Sequence, residues 1–195
     1  MRELCRRPPE PDLLDLVDGL LPVVSGWPLT SAIRRLGAAA LPAARGWAQH
    51  PRHPLHWTAL GLLADHGTEQ DVPALRAALR RLGESTDRCG NDRLFGGLAR
   101  IGGAGARAEL PRLRRLWASP HSYERAAYLR ARLALDPEGV PKWVMEGLWD
   151  CEDRVRKLAV RQVELTATTR ERLTYLRDDP IEEPDVRDAA AKRLE

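Results

Sequence analysis

DVPALRAALRRLG, residues 71–83, sets Val72, Leu75, Leu79 and Leu82 at the spacing of a helix with one apolar stripe. Its proline stands in the first turn, where a helix has backbone N–H groups without intrahelical partners and loses nothing to proline. The same apolar–proline step recurs as Leu41-Pro42, Leu110-Pro111 and Val140-Pro141, at intervals of 31, 38 and 30 residues. Two places after each proline comes Ala44, Leu75, Leu113 or Trp143, and Leu173 keeps the register about thirty residues later. Internal repetition at this period is the mark of a stacked-repeat architecture.

A second series interleaves with the first. Arg125, Arg156 and Arg187 stand 31 residues apart, in ERAAYLRARLAL, VRKLAVRQVEL and VRDAAAKRL. Ala127, Leu158 and Ala189 follow at +2, with Leu129, Val160 and Ala191 at +4. PLHWTALGLLADHG and DRLFGGLARIGG are earlier relatives, each closed by glycine in the manner of a helix C-cap. Each unit therefore reads as helix, tight turn, helix. First helices are expected near 40–49, 70–82, 107–118, 139–150 and 169–178. Second helices are expected near 54–65, 90–101, 122–134, 153–165 and 184–194, behind an opening pair near 11–24 and 29–38. The 38-residue interval places extra residues in the 83–92 loop. No segment alternates with the period of a strand.

Composition agrees. The 195 residues are 43% hydrophobic and 30% charged, which supplies a core and excludes the disordered class. Residues 1–10 read as loosely attached, and 11–195 as one domain. Met1 to Pro11 has no apolar signal core and no apolar run reaches membrane length, so an export peptide and a membrane span are not expected and the cytoplasm is. Cys5, Cys89 and Cys151 are scattered without a CxxC, as suits a reducing compartment. Arginines outnumber lysines 28 to 3, yet the net charge is only +3. Residues 68–135 hold 13 bases and 7 acids, whereas 136–195 hold 11 and 15, a polarity able to orient a charged partner.

The runs DVPALRAALRRLG, GVPKWVMEGLWDCEDRVRKLAV and DDPIEEPDVRDAAAKRL resemble HEAT repeats, in particular the short HEAT-like type associated with phycobilin lyases. The resemblance covers about residues 28–195, and more loosely 11–27. It implies an all-α fold, a right-handed α-solenoid of five to six helical hairpins. It also implies a ladder between adjacent repeats, in which an acid before the second helix meets an arginine within it. The matching positions are Asp153 with Arg156 and Asp185 with Arg187, and Arg125 is a third ladder residue. Glu124 departs from the family's apolar–arginine step, and His56 stands where an earlier unit would carry its arginine.

His50, His53 and His56 form HxxHxxH, but Pro51 and Pro54 interrupt it, so exposed turn histidines are expected and no metal. Trp117, Trp143, Trp149 and Asp150 invite comparison with alkylpurine DNA glycosylases, which are similar helical proteins presenting aromatics and a carboxylate to DNA. Trp143 and Trp149 lie six residues apart, so on a helix they face different ways, and Trp143 shares the register of Leu75 and Leu113. IGGAGARAE lacks the strand and spacing of a phosphate loop. The acidic pairs Asp178-Asp179 and Glu182-Glu183 read as a solvated turn before a helix.

No catalytic set and no cofactor site can be assembled from these residues. The expected function is a protein–protein interaction scaffold, with a partner held on the exposed flanks of the second helices by His56, Arg93, Arg100, Arg130, Arg132, Arg154, Lys157 and Arg161. An acidic protein segment fits so many guanidinium forks. Nucleic-acid binding, with or without base excision, is the alternative.

Overall fold

A computed structural model gives the fold and describes residues 10–22, 26–84 and 90–195. The described residues contain no strand, and the protein is all-α. The helices are α1 (Leu13–Leu20), α2 (Trp27–Arg35), α3 (Leu41–Gln49), α4 (His56–His66), α5 (Val72–Glu84) and α6 (Asn91–Ile101). A single turn, α7 (Gly103–Arg107), leads to α8 (Leu110–Trp117), α9 (Arg125–Leu135), α10 (Pro141–Gly147), α11 (Asp153–Gln162), α12 (Ala167–Asp178) and α13 (Pro184–Leu194). Cys5, Cys89, most of the expected loose N-terminus and the centre of the 83–92 loop lie outside the described residues.

The proline register is realised: α3, α5, α8 and α10 all start at the expected step. Ala44, Leu75, Leu113 and Leu173 are fully buried, and Trp143 nearly so. Of the expected first helices, only α12 starts otherwise. Thr166 caps it, accepting from the Thr169 N–H at 3.2 Å, while Thr169 Oγ1 accepts from the Thr166 N–H at 2.7 Å.

The chain divides into two compact units, Met1–Ala106 and Arg107–Glu195. In the first, α4 packs against α3, α5 and α6 and is buried from Thr58 to Ala64. A helix enclosed on nearly every side needs apolar or small residues all round, which is why α4 shows no single stripe. Arg100 of α6 closes its C-terminal end, donating from Nε to the Ala64 carbonyl at 3.0 Å and from Nη2 to the Gly67 carbonyl at 2.6 Å.

In the second unit the hairpins are α8–α9, α10–α11 and α12–α13, and the second helices α9, α11 and α13 touch in order. Their core runs from Ala126 and Leu129 through Trp143, Leu148, Val155 and Val160 to Leu173, Leu176 and Val186. Burial on the second helices meets the expected +2 and +4 at Leu129, Val160 and Ala189 but not at Ala127, Leu158 and Ala191, which are only partly covered, and it adds the −1 and +3 positions. Val155, Ala159 and Val160 are buried at −1, +3 and +4 from Arg156, whereas Leu158 at +2 is only partly covered. Val186 and Ala190 repeat the −1 and +3 positions around Arg187. Glu124 occupies the same −1 position before Arg125 and is 2% exposed, and its burial is answered at +3 by the Tyr128 hydroxyl, which donates to it.

Candidate binding surface

Arginines tie successive hairpins together, with partners other than those the resemblance implies. Arg125 of α9 forks onto Asp150, from Nε and Nη2, at 2.8 Å each. Arg156 of α11 forks onto Glu182 at 2.7 and 2.5 Å, and its Nη1 also donates to the carbonyls of Asp150 and Cys151. The rung acids are thus Asp150 and Glu182, each three residues ahead of Asp153 and Asp185, in the turn before the second helix. Those turns hold the carboxylates in place: the Glu152 N–H donates to Asp150 at 2.9 Å and the Glu183 N–H to Glu182 at 2.8 Å. Asp153 starts α11, Asp185 lies in the first turn of α13, and both line a groove instead. Arg187 is exposed and forms no ion pair among the described residues.

The first unit has its own cross-links. Arg45 of α3 meets Asp71 at 2.8 Å, and Asp71 also accepts from the Thr68 N–H at 2.9 Å. His56 is buried, contrary to its expected exposure. Its Nδ1 lies 3.4 Å from the Trp47 carbonyl, which can only accept, so Nδ1 carries the hydrogen and Nε2 accepts from Arg81 at 3.1 Å. His53 stacks on Trp47, and its Nδ1 accepts from the Leu55 N–H. The histidines therefore have separate duties, and no group of metal-holding residues occurs among the described residues.

These contacts make stability pH-dependent. Burial is the main cause holding the His56 imidazole below its ordinary 6.5, and the nearby Arg81 charge acts in the same direction. Burial pushes Asp71 and Glu182 up, but the bonds from Arg45 and Arg156 and from backbone N–H groups prevail, leaving both below their ordinary values. All three groups bind protons more readily in the unfolded chain, so stability is greatest above about pH 6.5 and falls on acidification. The His56 contribution is lost first, below pH 6.5. The carboxylate contributions follow as pH drops through about 4. Urea titrations at about pH 7.5 and about pH 5.5 should show a loss that His56→Gln abolishes; an equal loss in that variant would remove His56 as its source.

The expected contact residues separate into two groups. Arg93 pairs with Asp65 at 2.5 Å, Arg100 closes α4, and Arg132 is buried against Asp136 at 2.6 Å, so these three, like His56, already have partners within the protein. Arg130, Arg154, Lys157 and Arg161, by contrast, line one groove of about 470 Å³ along α9, α11 and the start of α13, with Asp153 and Asp185. Lys157 is bonded to Asp185. Arg130, Arg154 and Arg161 are exposed and make no hydrogen bond among the described residues. A guanidinium that no neighbouring acid saturates keeps its donors for a ligand.

Comparison with protein-family models, characterised proteins and solved structures found no match for this chain. Geometry is therefore what bears on its function. Asp150, the carboxylate in the glycosylase comparison, has both oxygens committed to Arg125. Trp143 is buried, with the Arg132 guanidinium 4.6 Å over its ring. Trp149 is exposed, and Arg172 sits between it and Tyr175 at 5.1 and 4.9 Å. Among the described residues no helix is long and apolar enough to cross a membrane.

Proposed function

We propose that the protein is a HEAT-like α-solenoid scaffold that binds an acidic segment of another protein along the second helices α9, α11 and α13. The groove carrying unsaturated Arg130, Arg154 and Arg161 beside Lys157 is the observation that supports it. Four bases to two acids favour an anionic ligand, and forked guanidinium donors suit carboxylates. Asp153 and Asp185 break the basic track, which counts against a phosphate backbone lying along it.

Fluorescence anisotropy tests this with a labelled helical peptide bearing glutamates along one face and with a labelled DNA duplex. Peptide binding is expected to weaken about tenfold or more in the Arg154→Glu, Arg161→Glu double variant, at an unchanged melting temperature. Tighter binding of the duplex than of the peptide, falling with salt by several units of logarithmic slope, would favour the nucleic-acid alternative. Peptide binding indifferent to the double reversal would overturn the groove assignment.

A further inference from the structure

We propose that the second unit holds another site, between α8 and α10, for a small planar anion. A cavity of about 360 Å³ lies there, bounded by Arg114, Trp117, Arg132, Lys142, Trp143 and Glu146. That is ligand-sized, and it shares no residue with the groove on the second helices. Its walls carry three cations and one carboxylate. The carboxylate is already engaged: Glu146 accepts from Trp117 Nε1 at 3.0 Å and lies 3.8 Å from Lys142. Arg114 is exposed and makes no hydrogen bond among the described residues.

Arg132 carries the inference. Its side chain is almost wholly buried, and Nη2 alone is satisfied, by Asp136 and by the Gly139 carbonyl at 3.2 Å. Nε and Nη1 are buried without an acceptor. Buried donors in folded proteins nearly always find one, so an arginine with two unanswered nitrogens on a cavity wall is an anomaly with a chemical remedy. Both nitrogens lack surface open to solvent, so it is through a small shift of the Arg132 side chain that a carboxylate or phosphate oxygen entering this cavity supplies the missing acceptor, and Arg114 and Lys142 at the rim add charge. Aromatic walls set the rest of the ligand. Trp143 is covered by Arg132 and lies 4.8 Å from Trp117 at a tilt of 35°, which leaves the partly exposed Trp117 as the surface a ligand ring can reach.

Isothermal titration with 2-naphthoate and with AMP tests the proposal, against 2-naphthol, adenosine and inorganic phosphate as analogues lacking the anion or the ring. At least one ring-bearing anion should bind about tenfold or more tightly than its own analogues, and whichever binds better distinguishes an aryl carboxylate from a nucleotide. Arg114→Glu with Lys142→Glu, both at the exposed rim, should weaken that binding about tenfold or more. Trp117→Leu should weaken it without altering the charge. The Arg154→Glu, Arg161→Glu variant should leave it unchanged, which separates this site from the peptide groove. Absence of binding by both anions, equal binding of the neutral analogues, or indifference to the rim reversal would each overturn it.

Discussion

Arg156→Ala should lower the unfolding free energy of the second unit by about 3–5 kcal/mol, the range for breaking a buried ion pair from one side. Glu182 is the reason for so large a loss. Its side chain is 5% exposed, so removing the guanidinium strands a carboxylate away from water and leaves the carbonyls of Asp150 and Cys151 without their donor. Arg161 is the matched control, the same residue type exposed on the same helix. Arg161→Ala should change stability by no more than about 0.5 kcal/mol. Urea unfolding of the two variants measures the contrast. Similar losses for both would mean that the Arg156–Glu182 fork does not hold the hairpins together.

Gly96→Ala and Gly97→Ala should move stability in opposite directions, although the residues are adjacent in α6. A β-carbon at Gly97 would stand 2.5 Å from the Cα and 2.6 Å from the Cβ of Ala64 in α4. Backbone cannot swing aside as a side chain can, so the two helices must separate, at a cost of about 2–3 kcal/mol from overpacking. A β-carbon at Gly96 meets nothing within 4 Å. There the gain in helix propensity and the loss of unfolded-state freedom should stabilise the protein by about 0.5–1 kcal/mol. Thermal melts of the two variants decide it, and a stabilising Gly97→Ala would show that α4 and α6 are not packed through this glycine.

The small-residue pattern of α6 points to close helix approach, but not to which of its two glycines is the contact. Both suit the sequence equally, and only the rotation of α6 against α4 distinguishes them. The ladder shows the same division. Asp150 and Asp153 precede or open α11, and Glu182 and Asp185 do so for α13, so either acid of each pair satisfies a rule stated in residue spacing. The turn geometry selects the earlier acid, because its carboxylate is anchored by a following backbone N–H and faces the arginine of the preceding hairpin. Read from sequence, His56 and Arg132 belong at the surface, where polar side chains usually remain. Each is buried because the structure supplies local partners: Trp47 and Arg81 for His56, and Asp136, Gly139 and Trp143 for Arg132.

From the chain alone come the all-helical class, the helix starts and the buried series Ala44, Leu75, Leu113, Trp143 and Leu173. A proline without an N–H and apolar residues spaced three and four apart act within one helix, so they need no neighbour to take effect. Tertiary structure decided which acid completes each rung, which cations remain unsaturated in the α9–α11–α13 groove and where Arg132 lacks acceptors. Those properties depend on what a second helix places within about 3 Å of a polar atom, a distance that no spacing within one helix prescribes.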